Sequence, residues 1–335
     1  MSFVTFGEIM LRLTPSDIGV QLDSSAAFNV DYAGAEANVA SSLGILGNQV
    51  SFITKLPPNK LGEAAIRSLR SYGINTDRIW RGGERMGTYF IELGSSIRPS
   101  SVIYDRKNSA ISQVIAGEVN WEELLKDFKF LFITGITPAL SDQCAKETIL
   151  AAQTAKRLGL HVGFDMNFRR SLWNSPDDAR KIFDELLAST DILFCNTGVL
   201  NDIYQLEYEG ADALEQTSKA IPEIANLFSV DKVVMTVREH LSASENQLSG
   251  LLYQDKTIFS SNTYLVNVTD RFGTGDAFVA AFLHGYNSGW NPNEVINFAT
   301  AAFALKHTIK GDQHTSSEQE IRAIMEGHTS GHVLR

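Results

Sequence analysis

The segment Asp270-Arg-Phe-Gly-Thr-Gly-Asp-Ala-Phe278 has the residue types and spacing of a turn that handles phosphate. It follows an apolar, strand-like run, Tyr264 to Val268, and leads directly into a helically patterned segment. Free backbone N–H groups at the start of a helix, together with the positive end of the helix dipole, attract anions. Gly273, Thr274 and Gly275 are the residues whose amides would do so here.

Asp276 distinguishes this turn from a simple phosphate-binding loop. In a phosphotransferase, a carboxylate at this place accepts the proton of the attacking hydroxyl while the amides stabilise the moving phosphoryl group. Two simpler interpretations stay open, because an Asp at a helix start is a common cap and because the turn could bind an anion without catalysis. A dinucleotide-binding fingerprint fits poorly, since Phe278 occupies its third glycine position. The chain has neither a Walker A run nor a protein-kinase His-Arg-Asp loop.

The composition restricts the partners of the protein. Its 335 residues are 44% hydrophobic and 20% charged, as in an ordinary globular protein of one large or two small domains. The formal net charge of −10 argues against nucleic acid or an anionic membrane as a main partner. The sequence has no run of about 18 apolar residues and no basic, apolar leader pattern. We therefore expect a cytoplasmic protein that binds small molecules.

The cysteines and histidines carry no sign of metal binding. Cys144 and Cys195 lie in apolar contexts without metal-like spacing, so we expect buried free thiols rather than a disulfide. The seven histidines form no pair with Cys, Asp or Glu at the spacing of a metal site. We therefore assign no protein ligand to a metal.

Most of the chain from residue 129 alternates short apolar runs with helical patterns. Strands are predicted at 130–134, 161–165, 192–195 and 232–237, and helices at 141–158, 176–188 and across 197–228. This alternation predicts an α/β fold with a doubly wound, mostly parallel sheet that is flanked by helices. Ligands of such sheets bind outside the carboxyl ends of the strands.

Three segments have the alternating pattern of half-buried antiparallel strands: Glu8–Leu13, Thr88–Leu93 and Val102–Arg106. We expect them to form a small sheet that projects from the main domain, with contributions from about 8–32 and 86–112. Such a sheet could be a lid over a cleft or a contact between copies of the chain, and both interpretations can hold together.

No repeat, low-complexity tract or linker divides the chain. We therefore expect one domain over residues 1–314 with the lid inserted in it. From Thr315 a weak helical pattern and then Gly-His-Thr-Ser-Gly-His predict a C-terminal helix and loose tail over 315–335.

A second glycine turn, Ala33-Gly-Ala-Glu-Ala-Asn-Val-Ala-Ser-Ser-Leu43, opens a helix whose first residues are nearly all small. Small residues permit close approach of a neighbouring helix or of a ligand. Together the two motifs resemble the signatures of the ribokinase-like, or PfkB, family of carbohydrate kinases, over roughly residues 3 to 312. The resemblance implies a ribokinase-like doubly wound sheet with a β lid, and ATP-dependent phosphorylation of a sugar hydroxyl.

Within that family, four segments are similar to those of 2-keto-3-deoxygluconate kinases: 33–36, 102–110, 134–141 and 165–173. The resemblance implies that the terminal C6 hydroxyl of 2-keto-3-deoxygluconate is phosphorylated to give 2-keto-3-deoxy-6-phosphogluconate. A kinase for a neutral ketose such as fructose is the nearest alternative. A catalytically idle protein that senses a sugar or nucleotide is the alternative of a different class.

An acidic sugar requires groups that hold its carboxylate, and guanidinium groups and aromatic hydroxyls do this well. Arg106 lies on a predicted lid strand, and Arg169 follows the strand that ends near Asp165, so the resemblance favours both as carboxylate ligands. The further substrate contacts that the resemblance implies are Gly34, Ala35, Asn38, Tyr89 and Tyr104. Without the resemblance, surface ion pairs would explain the arginines, and a lid or dimer core the tyrosines.

The resemblance implies ATP and Mg²⁺ as cofactors, leaves a monovalent cation open, and favours a homo-oligomer formed through the lid sheet. Asn196-Thr-Gly-Val199 lacks the acid of the family's usual Asn-x-x-Glu. Asp202 is a candidate replacement, although a role as an acid on a helix surface is favoured for it. Arg238-Glu-His-Leu-Ser-Ala-Ser stands where the family has a basic residue followed by glycines. The expected nucleotide contacts are Asn167, Asn196, Arg238, Gly273, Gly275 and Thr300.

Overall fold

The computed structural model describes residues 2–17, 19–115 and 117–329. In chain order its strands are β1 (Ser2–Phe6), β2 (Met10–Pro15), β3 (Phe28–Ala33), β4 (Gln49–Leu56), β5 (Ile79–Arg81), β6 (Thr88–Glu92), β7 (Ser101–Asp105), β8 (Phe130–Thr134), β9 (His161–Asp165), β10 (Ile192–Cys195), β11 (Lys232–His240), β12 (Glu245–Gln254), β13 (Thr257–Ser260) and β14 (Tyr264–Asn267). Its helices are α1 (Ala35–Ile45), α2 (Lys60–Ser71), α3 (Trp121–Leu125), α4 (Asp142–Arg157), α5 (Pro176–Leu187), α6 (Thr197–Tyr204), α7 (Ala213–Phe228), α8 (Thr274–Asn287), α9 (Pro292–Lys306) and α10 (Glu318–Met325).

A ten-stranded sheet forms the centre of the domain, in the order β13-β12-β11-β10-β9-β8-β1-β4-β5, with β14 paired to β12. The neighbours from β11 to β5 run parallel, and β12, β13 and β14 add an antiparallel edge. Helices α3 to α7 cover one face over one hydrophobic core, and α1, α2, α8, α9 and α10 cover the other. Every residue of β8 is buried, because a parallel strand between two helical layers has no solvent-facing side. The predicted doubly wound sheet is confirmed.

The lid is a separate four-stranded sheet in the order β3-β2-β6-β7. Its outer pairs are antiparallel as predicted, whereas the central strands β2 and β6 run parallel. Along β2 the residues alternate in burial, with Met10, Arg12 and Thr14 buried and Leu11 and Leu13 only half-buried. One face of the lid therefore packs on the domain.

The segment after Val237 is a β-hairpin rather than a separate loop. Strand β11 continues to His240 and pairs with β12 up to the contact of His240 with Asn246. Arg238 consequently lies on a strand, within a ladder that fixes its backbone. The glycine-rich backbone path of the family pattern is replaced here by strand pairing.

The C-terminal region begins with an ordered helix. A capping box between Ser317 and Glu320 starts α10, and the fully buried Ile321 packs into the core with α9. Residues 330–335 of the predicted tail lie outside the described residues. No helix in the described ranges is long and apolar enough to cross a bilayer. Cys144 and Cys195 are buried free thiols, as expected.

Candidate active site

Two adjoining cavities lie at the carboxyl ends of the parallel strands. The larger one, here called the cleft, has a volume of about 670 Å³ and is walled by the ends of β9, β10 and β11 and by the turn before α8. The smaller one, here called the lid pocket, has a volume of about 70 Å³ and lies between the lid and the start of α1. The residues that line both cavities are Tyr104, Asn167, Phe272, Arg169, Gly273 and Asp276. The site therefore has two compartments that meet at Asp276.

The turn before α8 is held in the form that an anion site requires. Gly273 has φ of 69°, in the left-handed region that glycine adopts without strain. A Cβ at this residue would lie 1.8 Å from the carbonyl oxygen of Asp312, so a side chain is excluded. The first backbone bond of α8 runs from Ala277 N–H to the carbonyl of Gly273. The amides of residues 273–276 donate to no acceptor within the described residues, which leaves them available to a ligand.

Asp276 is a buried carboxylate with one oxygen engaged and one free. Its Oδ2 accepts a hydrogen bond from Asn38 Nδ2 at 2.7 Å, and its Oδ1 accepts none from any described residue. Burial, with a smaller contribution from the neighbouring Asp165, raises the pKa of this carboxyl from 3.8 to about 7. Because neither oxygen accepts from a described helix amide, the capping explanation does not fit. The geometry suits a general base that works near neutral pH.

Asn38 connects the second glycine turn to Asp276. The amide of Gly34, at the start of α1, donates to Asn38 Oδ1 at 3.3 Å. A Cβ at Gly34 would lie 2.0 Å from the carbonyl oxygen of Glu8, so the small residue is required by a backbone contact. Gly34, Ala35 and Asn38, three of the predicted substrate contacts, all line the lid pocket.

Arg106 lines the lid pocket but is already paired there. Its Nε donates to Glu8 Oε2 at 2.8 Å, and its Nη2 makes a second contact with the same oxygen. The guanidinium also lies 5.4 Å from the ring centre of Tyr104. Glu8 was not anticipated from the sequence, where it was named only as the first residue of the predicted strand segment Glu8–Leu13. Nη1 of Arg106 makes no hydrogen bond within the described residues and stays available.

Tyr89, Tyr104 and Arg169 differ in how freely they can meet a ligand. Tyr89 is 3% exposed, and its hydroxyl donates to Asp312 Oδ2 at 2.9 Å. Tyr104 is 38% exposed and stacks on Tyr89 with the ring centres 5.8 Å apart. Arg169 is exposed, and its side chain makes no hydrogen bond or ion pair with any residue that the structure describes. Of these three residues, Arg169 and Tyr104 thus have free polar groups.

Arg238 joins the wall of the cleft to the anion-binding turn. Its Nη2 donates to Thr274 Oγ1 at 2.9 Å, and its guanidinium lies 5.1 Å from the ring centre of Phe303. Burial lowers its pKa to about 10. Its Nε is buried without a partner among the described residues. Such an unsatisfied donor beside free amides is a feature of a site whose ligand carries negative charge.

Of the remaining predicted nucleotide contacts, two line the cleft and one does not. Asn196 and Asn167 line the cleft, although the side-chain oxygen of Asn196 already caps α6 by accepting from Val199 N–H at 3.0 Å. Thr300 does not line either cavity: it is fully buried and its hydroxyl donates to the carbonyl of Ile296. The structure therefore does not bring Thr300 to the site, because α9 turns this side chain into the protein core.

Asp165, and not Asp202, is the second acid that lines the cleft beside Asp276. Asp202 forms an exposed ion pair with Arg170 at 2.8 Å and does not line the cleft. Asp165 ends β9 in the cleft wall, where its Oδ1 accepts from Asn167 N–H at 3.0 Å. Loss of hydration raises the pKa of Asp165 to about 7. The signal in the sequence was its position as the last residue of a predicted parallel strand.

Comparison with known proteins identifies the family. A model of the pfkB family carbohydrate kinases matches residues 2–319. The chain belongs to this family. A 2-dehydro-3-deoxygalactonokinase of Haloferax volcanii is 32% identical over 328 residues, which cover 98% of each chain. A 2-dehydro-3-deoxygluconokinase of Thermotoga maritima has a crystal structure with a TM-score of 0.94 and 38% identity, over 98% of this chain and 100% of that one.

A more distant pfkB-like fold comes from E. coli. It is a candidate ribokinase II solved in complex with ATP and Mg²⁺, with a TM-score of 0.81 and 23% identity over 97% of this chain and 99% of that one. As a carbohydrate kinase of the pfkB family, the protein has the predicted enzyme class, and the resemblance found in its two glycine turns is confirmed.

Proposed function

We propose that this kinase transfers a phosphoryl group from ATP to the terminal C6 hydroxyl of 2-keto-3-deoxygluconate, giving 2-keto-3-deoxy-6-phosphogluconate. The observation that carries the proposal is the place of Asp276, which lines both cavities beside the free amides of the turn. A sugar in the lid pocket and a nucleotide in the cleft would therefore meet at a base. The relatives that act on 2-dehydro-3-deoxy sugar acids support an acidic sugar as the acceptor.

The residues at the cleft fit ATP and Mg²⁺. Bound ATP supplies the phosphoryl group, and Mg²⁺ offsets the charge of its phosphates. Arg238, whose Nε is buried without a described partner, and the amides of Gly273, Thr274 and Gly275 would bind the phosphates. Asp165 would hold Mg²⁺ through its water shell, since this ion commonly uses one or two carboxylates and the phosphates of its nucleotide.

The proton of the C6 hydroxyl would pass to Asp276 Oδ1, the oxygen that accepts no hydrogen bond from a described residue. Asn38 fixes the carboxylate through Oδ2, so the free oxygen has one orientation. The turn amides stabilise charge on the moving group, as hydrogen-bond donors aimed at developing charge do in other enzymes. The lid covers the pocket and limits attack by water.

The carboxylate of the sugar would bind to the two arginines that line the lid pocket. Arg169 offers an unpaired guanidinium, and Arg106 offers Nη1 while Glu8 holds its other edge. Glu8 fixes the orientation of Arg106 and offsets its charge, so Arg169 supplies the guanidinium without an ion-pair partner among the described residues that attracts the acid. Tyr104 would add a hydroxyl from the lid. A neutral ketose would leave this charge without a partner.

We also propose that the protein forms a homo-oligomer through the lid and acts in the cytoplasm. The outer face of the lid presents apolar residues to solvent, among them Val30, 55% exposed, and Ile103, 58% exposed. Phe90 lies between them in the strand register and forms a ring pair with Phe28. Exposed apolar surface of this kind marks contacts between proteins. Buried free thiols such as Cys144 fit a reducing compartment.

The test is an assay of ADP release with purified protein, ATP and Mg²⁺ across a panel of acceptors. The panel contains 2-keto-3-deoxygluconate, its C4 epimer 2-keto-3-deoxygalactonate, fructose and ribose, and phosphorus–proton correlation NMR locates the phosphate on the product. We expect the acidic sugars to be preferred, with phosphate on C6. Preference for fructose, or transfer to another hydroxyl, would overturn the assignment. Absence of transfer to every sugar would favour the idle, sensing alternative.

A further inference from the structure

A buried ion network lies between the lid and the anion-binding turn. Arg12, on lid strand β2, is fully buried. Its Nη2 lies 2.6 Å from Asp270 Oδ2, its Nη1 pairs with Asp312 Oδ1, and its Nε donates to Thr14 Oγ1 at 3.0 Å. One guanidinium therefore joins two buried carboxylates that come from different parts of the chain.

The two carboxylates hold the turn from both sides. Asp270 is the first residue of the turn: its Oδ1 accepts from Phe272 N–H and its Oδ2 from Gly311 N–H, each at 3.0 Å. The carbonyl of Asp312 lies against Gly273, where any side chain would collide with it. A shift of residues 311–312 would therefore move the amides that are expected to bind phosphate.

The same loop also reaches the substrate side of the site. Asp312 Oδ2 accepts from the hydroxyl of Tyr89, which stacks on Tyr104. Gln313 Nε2 donates to the carbonyl of Tyr32 on lid strand β3 and, at 3.3 Å, to Asn38 Oδ1. Residues 312–313 thus contact the lid strands β2, β3 and β6. They also contact the turn and Asn38, which holds the catalytic carboxylate.

A network of this kind is a costly way to stabilise a fold. Burying charges removes their hydration, and such pairs often stabilise no more than apolar residues of the same volume. What a guanidinium bound to two carboxylates does provide is a fixed geometry that a lysine cannot reproduce, since lysine offers a point charge. The network therefore serves more to hold the lid and the turn in position than to stabilise the fold.

We propose that Arg12 and Asp312 are positioning residues that couple the docking of the lid to the placement of the anion-binding turn. With the lid docked, the turn amides, Asp276 and Tyr89 are held in one arrangement, and the phosphoryl group passes to the sugar hydroxyl. Without this coupling, the turn can take its position while the lid leaves the substrate uncovered. Water then competes with the sugar hydroxyl for the phosphoryl group. This inference rests on the proposed function for its kinetic test.

The kinetic test compares Arg12→Lys with Arg85→Lys as a matched control. Arg85 lies before lid strand β6 and pairs with Asp105 at 2.8 Å, but that pair is exposed and does not line either cavity. We expect Arg12→Lys to lower kcat roughly a hundredfold, as misplacement by about 1 Å can do. We also expect more ADP per sugar phosphate formed, whereas Arg85→Lys leaves both unchanged.

The ratio of ADP to sugar phosphate separates positioning from stability. If Arg12 acted only on stability, the substitution would reduce the fraction of active enzyme. The apparent kcat would then fall in proportion, while the ratio of ADP to sugar phosphate and the KM for sugar would stay as in the wild type. That outcome would overturn the proposal. Asp312→Asn, which keeps the side-chain shape and an acceptor for Tyr89, gives the same test through the other partner if Arg12→Lys fails to fold.

Hydrogen–deuterium exchange of the ligand-free protein provides a readout that needs no substrate. Arg12→Lys should increase exchange together in the lid segments 10–15 and 88–92 and at residues 269–272, where the amides of Thr269, Asp270 and Phe272 are hydrogen-bonded in the wild type, with 161–165 in the central sheet unchanged. A response confined to the lid would overturn the coupling. If the wild type phosphorylates no sugar acid and the exchange is still coupled, the proposed function fails while the positioning role stands.

Discussion

Replacing Asp276 by Asn should abolish phosphoryl transfer and, above neutral pH, stabilise the fold. Asn has the same shape, and its Oδ1 can still accept the hydrogen bond that Asn38 donates to the carboxylate. The substitution removes the ability to accept a proton, and general-base catalysis contributes about 100- to 10,000-fold to a rate. It also removes a buried negative charge. Activity and stability should therefore change in opposite directions.

The size of the stability change follows from the pKa of the carboxyl group. Burial raises that pKa from 3.8 to about 7, so the unfolded chain releases the proton at lower pH than the folded protein does. The stability of the wild type therefore falls as pH rises from about 4 to about 7 and is level above that. A difference of about three pKa units corresponds to a free energy on the order of 4 kcal/mol.

The assay is urea denaturation of wild type and Asp276→Asn at several pH values, with the free energy of unfolding as the quantity compared. The advantage of the variant should grow by about 2 kcal/mol between about pH 5.5 and about pH 8.5. Asp255→Asn is the matched control, because Asp255 is an exposed turn residue with φ of 51°, which Asn also adopts readily. The control should show no such trend.

Two results would refute this reasoning. A variant that keeps more than about a tenth of the wild-type kcat would remove Asp276 as the base. A variant that is less stable than the wild type at every pH, or whose advantage does not change with pH, would show that the buried carboxylate carries no cost of ionisation.

Four further outcomes are expected. In the wild type, kcat/KM for the sugar should decrease below about pH 7, because a protonated Asp276 cannot accept the hydroxyl proton, as a pH–rate profile would reveal. Gly273→Ala should cost at least about 1 kcal/mol in urea denaturation and abolish turnover, because its φ is 69° and its Cβ would meet Asp312. Arg169→Met should raise the KM for the acidic sugar roughly 10- to 100-fold, while the KM for ATP stays constant. Arg238→Met should do the reverse in the same initial-rate assays, raising the KM for ATP by roughly tenfold.

The strands of the central sheet could be predicted to the residue where they are buried on both faces. The predicted runs 130–134, 161–165 and 192–195 coincide with β8, β9 and β10. Such strands are continuous apolar segments bounded by polar ones, so the sequence marks both of their ends. The hairpin of β11 and β12 was not predicted, because its pairing depends on contacts with α9 and β14 rather than on a local pattern.

The residues of the site also fall into those that a local pattern predicts and those that depend on distant contacts. Asp276 and the amides of its turn could be found because their function depends on a local motif. Arg12 and Glu8 could not, since each acts through a partner that is distant in sequence, Asp312 for Arg12 and Arg106 for Glu8. For these two residues, the signal in the sequence was a charged side chain at a position of a predicted alternating strand that faces the protein interior. For Thr300 the sequence predicted a ligand contact that the structure does not have, because packing alone decides which side of a helix meets a ligand.

The ion pair between Arg12 and Asp312 joins residues that are 300 positions apart. The lid strand that carries Arg12 therefore leaves the ribosome 300 residues before Asp312 does. During synthesis, the turn that is expected to bind phosphate lacks its support until Asp312 has emerged. A growing or truncated chain would then have a sheet and a lid but no finished site, and would consume little of the cell's ATP.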